Sequence, residues 1–190
     1  MDDWTNIRWT EAGQIADLME LPREEVPEPD MVPRAFYLAA RRRDDLETAL
    51  SFLAHALPRY DAVAWAARVL ERLAAAAPPD PSERQALDHA LRWIEDPSDE
   101  HRRAAFDAAE SAAAESPERL LALAVFLAGG SLAPADLPAV LPEASLGGRF
   151  AACALIAAAH RSGDPNAALA GALDLGEKIA EGGVEALPPR

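Results

Sequence analysis

Four prolines that each follow a helix-capping residue constrain the fold of this chain more than any other feature. They occur in the pairs Asp80-Pro81, Asp96-Pro97, Ser116-Pro117 and Asp164-Pro165. The aspartate or serine oxygen accepts a hydrogen bond from a free amide of the first turn, and proline has no amide to leave unpaired there. Each pair therefore predicts the start of a helix. Glu83 completes a capping box with Asp80, and Asp99 resembles the same arrangement.

Glycines mark the ends of the predicted helices, because glycine adopts without strain the left-handed conformation that closes a helix. They occur at Gly129-Gly130, Gly163 and Gly182-Gly183. These starts and stops predict helices over residues 81–95, 97–114, 117–128, 148–161 and 165–181, with a short helix near 135–140. Apolar residues at helical spacing add helices over 33–43, 44–57 and 61–76, and Asp61 is the predicted cap of the last of these.

Short links between consecutive helices predict antiparallel helical hairpins. The predicted pairs are 44–57 with 61–76 across Pro58-Arg59-Tyr60, 81–95 with 97–114, and 148–161 with 165–181. Hairpins in series build either a compact bundle or a short α-solenoid, and no shared residue signature aligns these hairpins as repeats. The sequence therefore predicts an all-α, compact multi-helix bundle, with a short α-solenoid as the alternative.

The first 31 residues differ from the rest in charge and in proline content. They hold nine acidic residues and two arginines, which is half of the net charge of −14. Prolines at 22, 27 and 29 limit regular structure to one short helix, which Thr10 caps and which ends near Met19. We therefore expect an acidic N-terminal arm over 1–31, a helical domain over 32–183 and a flexible C-terminal tail over 184–190.

Three large apolar residues of the arm, Trp4, Ile7 and Trp9, are unusual in a purely disordered segment. We expect them to dock on the domain itself or on a partner. Arg59 lies in the predicted turn before Trp65, where it either satisfies helix-end carbonyls or contacts a partner, and Trp65 is interpreted as a core residue. The candidate partner-binding residues are therefore Trp4, Ile7, Trp9 and Arg59.

The net negative charge argues against nucleic acid as a partner, because the surface repels phosphate, and it suits a basic protein partner. The longest apolar stretches fall well short of the roughly 20 residues that cross a bilayer, which predicts no membrane insertion. The first residues lack the basic and apolar regions of a signal peptide. The predicted location is the cytoplasm.

The sequence contains no strong catalytic or metal-binding pattern. The four histidines, His55, His89, His101 and His160, occur in neither a His-Glu-x-x-His nor a Glu-x-x-His motif. There is no Gly-x-Ser-x-Gly elbow, and Gly147-Gly148-Arg149 lacks the Lys-Ser/Thr of a P-loop. Cys153, the only cysteine, lies in an apolar run and is predicted to be a buried small hydrophobe. We therefore predict no catalytic residue, no metal ligand and no cofactor.

The stretch Ala56-Leu57-Pro58-Arg59, followed by Ala62-Val63 and Trp65-Ala66, resembles a family of uncharacterised bacterial all-helical proteins. A second match is Leu173-Asp174-Leu175-Gly176 with Ile179-Ala180 and Gly182. The resemblance covers about 45–182 and implies a helical fold, with no catalytic residues to carry over. Some members are encoded near type VI secretion genes, which implies an association with a secretion system.

These observations predict a non-catalytic, protein-binding adaptor or accessory protein that uses a helical groove or its acidic arm. The predicted partner is another protein, either basic or a component of a secretion system. Two alternatives stay open. An enzyme with a site assembled from dispersed residues would have a deep pocket with at least two titratable groups of shifted pKa. A homo-oligomeric structural component would have a mass well above that of one chain.

Overall fold

The computed structural model describes residues 4–134 and 136–186, and all regular structure in these ranges is helical. The helices, in chain order, are α1 Ala12–Met19, α2 Pro33–Arg42, α3 Leu46–Ala56, α4 Arg59–Ala76, α5 Pro81–Glu95, α6 Asp99–Ser111, α7 Pro117–Leu127, α8 Leu146–Arg161 and α9 Pro165–Gly182. A 3₁₀ turn over Val184–Ala186 follows α9. The rest of the predicted C-terminal tail lies outside the described residues. None of these helices is long and apolar enough to cross a membrane.

Helix α8 lies at the centre, packed against α3, α4, α7 and α9. Its buried surface consists mainly of alanines, whose small side chains let neighbouring backbones approach closely. Helices α5, α6 and α7 pack together on one side of it, and α1 and α2 pack against α3 on the other. The predicted all-α bundle is confirmed. The solenoid alternative fits less well, because α3 contacts α8 and α9, which are far from it in sequence.

The predicted pairing of helices is confirmed for two hairpins and wrong for the first. Helices α5 and α6 pack closely, and so do α8 and α9, whereas α3 and α4 share few contacts and both pack on α8. Arg59 and Tyr60 belong to the first turn of α4, so that only Leu57-Pro58 separates the two helices. Asp61 therefore does not cap α4. Its carboxylate instead accepts a hydrogen bond from Asn6 Nδ2 at 2.5 Å.

Three of the four proline starts are confirmed, with Pro81, Pro117 and Pro165 at the first helical positions of α5, α7 and α9. The capping box between Asp80 and Glu83 is present. The prediction for α6 was wrong, because Ser98 outcompetes Asp96 as the cap. The Ser98 hydroxyl accepts a hydrogen bond from the His101 amide at 3.3 Å, and α6 begins two residues later than predicted and ends at Ser111.

Asp99 was also wrongly predicted as part of a capping arrangement, since its carboxylate binds the guanidinium groups of Arg102 and Arg103. The cap of α1 is Glu11, with Gln14, in place of Thr10. Residues 136–140 form a turn followed by irregular backbone, without the predicted short helix, and Ala135 lies outside the described residues.

Cys153 is exposed on α8, contrary to its prediction as a buried residue, because the register of the helix turns Ala151, Ala154 and Leu155 inward. Of the glycines predicted to close helices, Gly130 and Gly183 have positive φ angles of 72° and 74°. Gly163 has no positive φ, since α8 ends through a Ser162 hydroxyl that donates to Ala159 O.

Candidate functional site

The N-terminal arm docks on its own domain through Trp4 and Asn6. Trp4 is only 8% exposed, and its ring meets the ring of Tyr37 edge-on at a centroid distance of 4.9 Å. The Asn6 amide donates to Ala180 O at 3.0 Å, and Asn6 Nδ2 donates to the carboxylate of Asp61. Trp4 is thus a buried contact between the arm and the domain.

Beyond Asn6 the arm runs along the corner between α3 and α4, where it forms one side of a groove. We call this the Trp9 groove; it has a volume of about 390 Å³. Its lining residues come from the arm, from α1, from the α3–α4 corner and from the segment before α8. They are Arg8, Trp9, Leu18, His55, Ala56, Leu57, Pro58, Arg59 and Ala144. The fold therefore brings together two of the four predicted partner-binding residues, Trp9 and Arg59.

The other two predicted residues lie elsewhere. Trp4 is buried against Tyr37, as described above, and Ile7 is partly buried against the core. Trp9, by contrast, is 37% exposed and is among the few large apolar side chains that face solvent in the described part of the chain. Trp65 is fully buried, as predicted, and its Nε1 donates to Ala172 O at 2.8 Å.

The Trp9 groove carries positive charge from two arginines that have no ion-pair partner in the described part of the chain. Arg8 and Arg59 are both exposed, and neither forms a hydrogen bond or an ion pair with another residue in the ranges 4–134 and 136–186. No acidic residue lines the groove. The nearby Arg149 is different, because it pairs with Glu20 at 3.0 Å. The carboxylate nearest to Arg59 in sequence, Asp61, is bound to Asn6.

One wall of the groove contains His55, which is 8% exposed. Its Nδ1 lies 2.8 Å from Ser51 O on the same helix, so Nδ1 carries the proton and donates it. Its Nε2 is then an acceptor, and it is buried with no partner among the described residues. Burial is the main cause that lowers the pKa of His55. The hydrogen bond to Ser51 raises this pKa, and the charge of Arg149 lowers it. The imidazole is therefore neutral at pH 7.

A second groove has the opposite charge. It lies between the arm and helices α2 and α3, has a volume of about 590 Å³, and is lined by Glu24, Glu25, Glu28 and Asp45 together with Arg43 and several apolar residues. Arg41, in the last turn of α2, lies outside this groove and pairs with Asp174 and Glu177 of α9. No group of three or more histidine, cysteine, aspartate or glutamate side chains in the described ranges is arranged to hold a metal ion.

Sequence reasoning missed Arg8 and His55 as residues of the Trp9 groove. Arg8 had a weak signal, its position beside Trp9. The signal for His55 was its place in the last turn of α3 directly before Ala56-Leu57-Pro58, where the corner turns it inward. Neither the burial of His55 nor the absence of a partner for Nε2 can be read from spacing alone.

Comparison with known proteins gives one match. No curated protein and no solved structure matches the chain. A family model described as a family of unknown function, DUF6931, matches residues 36–180, close to the 45–182 expected from the resemblance. His55 and Arg59 lie inside this range, whereas Arg8 and Trp9 lie before it. The chain therefore belongs to the DUF6931 family, a family of unknown function.

Proposed function

We propose that this protein is a non-catalytic adaptor that binds a short segment of another protein in the Trp9 groove. The observation that carries the proposal is the presence, in one groove, of an exposed indole, Trp9, and an unpaired guanidinium, Arg59. Tryptophan and arginine are the side chains that most often dominate the energy of protein interfaces. Leu57 and Pro58 add apolar surface to the lining of the same groove.

The dimensions of the groove fit a short segment better than a whole helix. Its volume of about 390 Å³ falls at the lower end of the range of roughly 300–1,000 Å³ that ligand pockets occupy. Because Trp4 and Asn6 fix the arm on the domain, this wall of the groove exists before a partner arrives. Binding to a preformed groove loses less conformational entropy than binding that must first order a loop.

We also propose that the adaptor acts in the bacterial cytoplasm in association with a secretion system. The support is the resemblance described above, whose central stretch Ala56-Leu57-Pro58-Arg59 supplies four of the lining residues of the Trp9 groove. The partner in this proposal is a secretion component. The acidic groove beside the arm offers a second contact surface to a basic part of the same partner.

Site-specific photo-crosslinking in producing cells tests the proposal. A benzophenone amino acid replaces Ala144, an exposed residue of the groove, so that Trp9 and Arg59 are retained. The matched control places the same probe at Glu110, an exposed residue of α6 that does not line the groove. We expect one defined adduct with a second protein from the Ala144 probe only, and its loss when Arg59→Ala is added.

The mass of the adduct separates the alternatives. A crosslink to a second copy of this chain would support a homo-oligomeric structural component and contradict the adaptor role. An adduct that forms equally from Glu110, or that survives Arg59→Ala, would contradict the assignment of the Trp9 groove as the binding surface.

A further inference from the structure

The Trp9 groove concentrates unpaired positive charge on a chain with 32 acidic residues and 18 basic ones. Arg8 and Arg59 have no partner among the described residues, and the lining contains no carboxylate. Ionised side chains in a partly enclosed site attract the opposite charge more strongly than they do in open solvent. The charge of the groove therefore favours the binding of an anion, and none of the described residues that line it supplies one.

The apolar part of the lining restricts what kind of anion fits. Trp9, Leu18, Leu57 and Pro58 offer an aromatic edge and aliphatic surface next to the guanidinium groups. A free phosphate or a nucleic acid backbone has no apolar group to cover this surface. The net charge of −14 also repels a polyanion at long range, whereas a single carboxylate beside an apolar side chain meets little of that repulsion.

His55 contributes to one wall of the groove without adding a group that binds the ligand. It is more than nine-tenths buried in the wall of the groove, and Nε2 is an acceptor without a partner in the described structure. Because Nε2 has almost no solvent-accessible surface, a ligand in the groove does not reach it, and the charge that the groove offers to a ligand comes from the two arginines.

We propose that the ligand of the Trp9 groove is an acidic peptide segment of the partner protein, in which an aspartate or glutamate lies beside a large apolar residue. This inference rests on the proposed function and specifies the partner's chemistry. The carboxylate lies between Arg8 and Arg59, and the apolar side chain packs against Trp9 and Pro58.

Peptide display against the purified full-length chain tests the proposal. A random octapeptide library is selected on the wild type, on the Arg8→Gln/Arg59→Gln double variant, and on Arg42→Gln. Arg42 is the matched control, since it is an exposed arginine outside the groove with no partner in the described ranges. We expect the wild type and Arg42→Gln to select peptides with an acidic residue next to a large apolar one, and the double variant to lose the acidic preference.

Affinity measurements on one selected peptide sharpen the result. By fluorescence anisotropy, replacing its acidic residue with the matching amide, or making Arg59→Gln in the protein, should each weaken binding on the order of tenfold. The two changes together should weaken it little further, because they remove the same contact. A fluorescent oligothymidylate should bind far more weakly than the peptide.

The outcomes distinguish this inference from the proposed function. Selected peptides that compete for the groove but show no acidic preference, or that are basic, overturn the inference and leave the adaptor role standing. An acidic preference that persists in the double variant also overturns it, as does tighter binding of the oligothymidylate. Failure to select any peptide, with no crosslinked partner from position 144, counts against both proposals.

Discussion

The packing around α8 and the docking of the N-terminal arm depend on contacts of different kinds. At α8 the backbones of two helices lie so close that a Cβ on Gly148 would be only 2.8 Å from Ala54 O. The arm is held by a few side-chain and backbone contacts, mainly those of Trp4 with Tyr37 and of Asn6 with Asp61. A Cβ at Gly148 would therefore displace backbone, whereas we expect the arm to separate without unpacking the bundle.

The two regions also differ in how their charges are satisfied. Arg161, at the end of α8, forms two hydrogen bonds with the fully buried carboxylate of Glu118. Arg59, at the start of α4 in the groove beside the arm, has no partner in the described structure. Charges that are paired inside the domain stabilise its fold, whereas an unpaired charge at a groove is available to a ligand. Substitutions in the two regions should therefore affect different properties of the protein.

The largest effect is expected from Gly148→Ala in α8. The new methyl group would meet the backbone of Ala54 and His55, which cannot move without displacing α3. Overpacking of this kind costs about 1–3 kcal/mol, occasionally more, and the better helix propensity of alanine offsets up to about 1 kcal/mol of it. We expect the free energy of unfolding to fall by about 2 kcal/mol in urea denaturation.

Gly171→Ala in α9 is the matched control, because a Cβ there has no atom within 4 Å. Its stability should stay the same or rise by about 0.5–1 kcal/mol, through the lower conformational entropy of the unfolded chain. Equal stability of Gly148→Ala and Gly171→Ala would contradict the close approach of α3 and α8 at Gly148.

Glu118→Gln should have the second-largest effect. Glu118 is fully buried at the start of α7 and binds Arg161 through both oxygens, at 2.9 and 2.5 Å. The amide cannot accept both guanidinium hydrogen bonds, which should lower the free energy of unfolding by about 1–3 kcal/mol. The exposed pair of Arg41 with Asp174 is the control, and Asp174→Asn should cost less than about 1 kcal/mol. Equal losses in the two variants would contradict the burial of Glu118.

Trp4→Ala should loosen the arm and leave the bundle intact. Loss of the contact with Tyr37 should speed hydrogen exchange at the Asn6 amide, which donates to Ala180 O, on the order of tenfold or more. The amides of α8 should keep their wild-type protection. Trp9→Ala is the control, because the exposed ring of Trp9 contributes little to the docking of the arm. This variant should change hydrogen exchange neither at the Asn6 amide nor in α8. Faster exchange throughout α8 in Trp4→Ala would show that the arm and the bundle unfold together.

Local chemistry made most helix starts predictable from sequence, but it did not decide between two capping residues that lie close together. Asp80, Ser116 and Asp164 cap α5, α7 and α9 as predicted, although Ser82 and Asn166 follow two of them at the spacing at which Ser98 follows Asp96. Asp96 has Ser98 two residues later, and the hydroxyl took the role. Asp61 was expected to cap α4, but the helix had already begun at Arg59.

The pairing of helices and most of the groove depend on contacts between distant segments. The position of α8 between α3 and α4 follows from small residues such as Gly148, whose role appears only when the backbones meet. Trp9 and Arg59 were identifiable because large apolar and turn-associated residues are conspicuous in a sequence. His55 was not, because its importance comes from burial and from an acceptor without a partner.

The smallest effect, and the most direct test of that buried acceptor, is the pH dependence that His55 gives to stability. Burial and the charge of Arg149 lower the pKa of His55 in the folded protein, whereas the unfolded chain keeps the ordinary value of about 6.5. As the pH falls below about 6.5, the unfolded state binds the proton first, so stability decreases until the folded pKa is passed. His89, whose pKa is also lowered by burial, acts in the same direction.

The contribution of His55 to this pH dependence is therefore measured by comparing the wild type with His55→Gln. Urea midpoints measured from pH 7.5 to 5.5 should fall less steeply for His55→Gln than for the wild type. His160→Gln removes an exposed histidine that contacts Glu47, and it controls for the loss of any one imidazole. If wild type and His55→Gln had the same slope, the burial of His55 in the wall of the groove would be contradicted. The role proposed for the two arginines of the Trp9 groove would be unaffected, because it does not depend on this histidine.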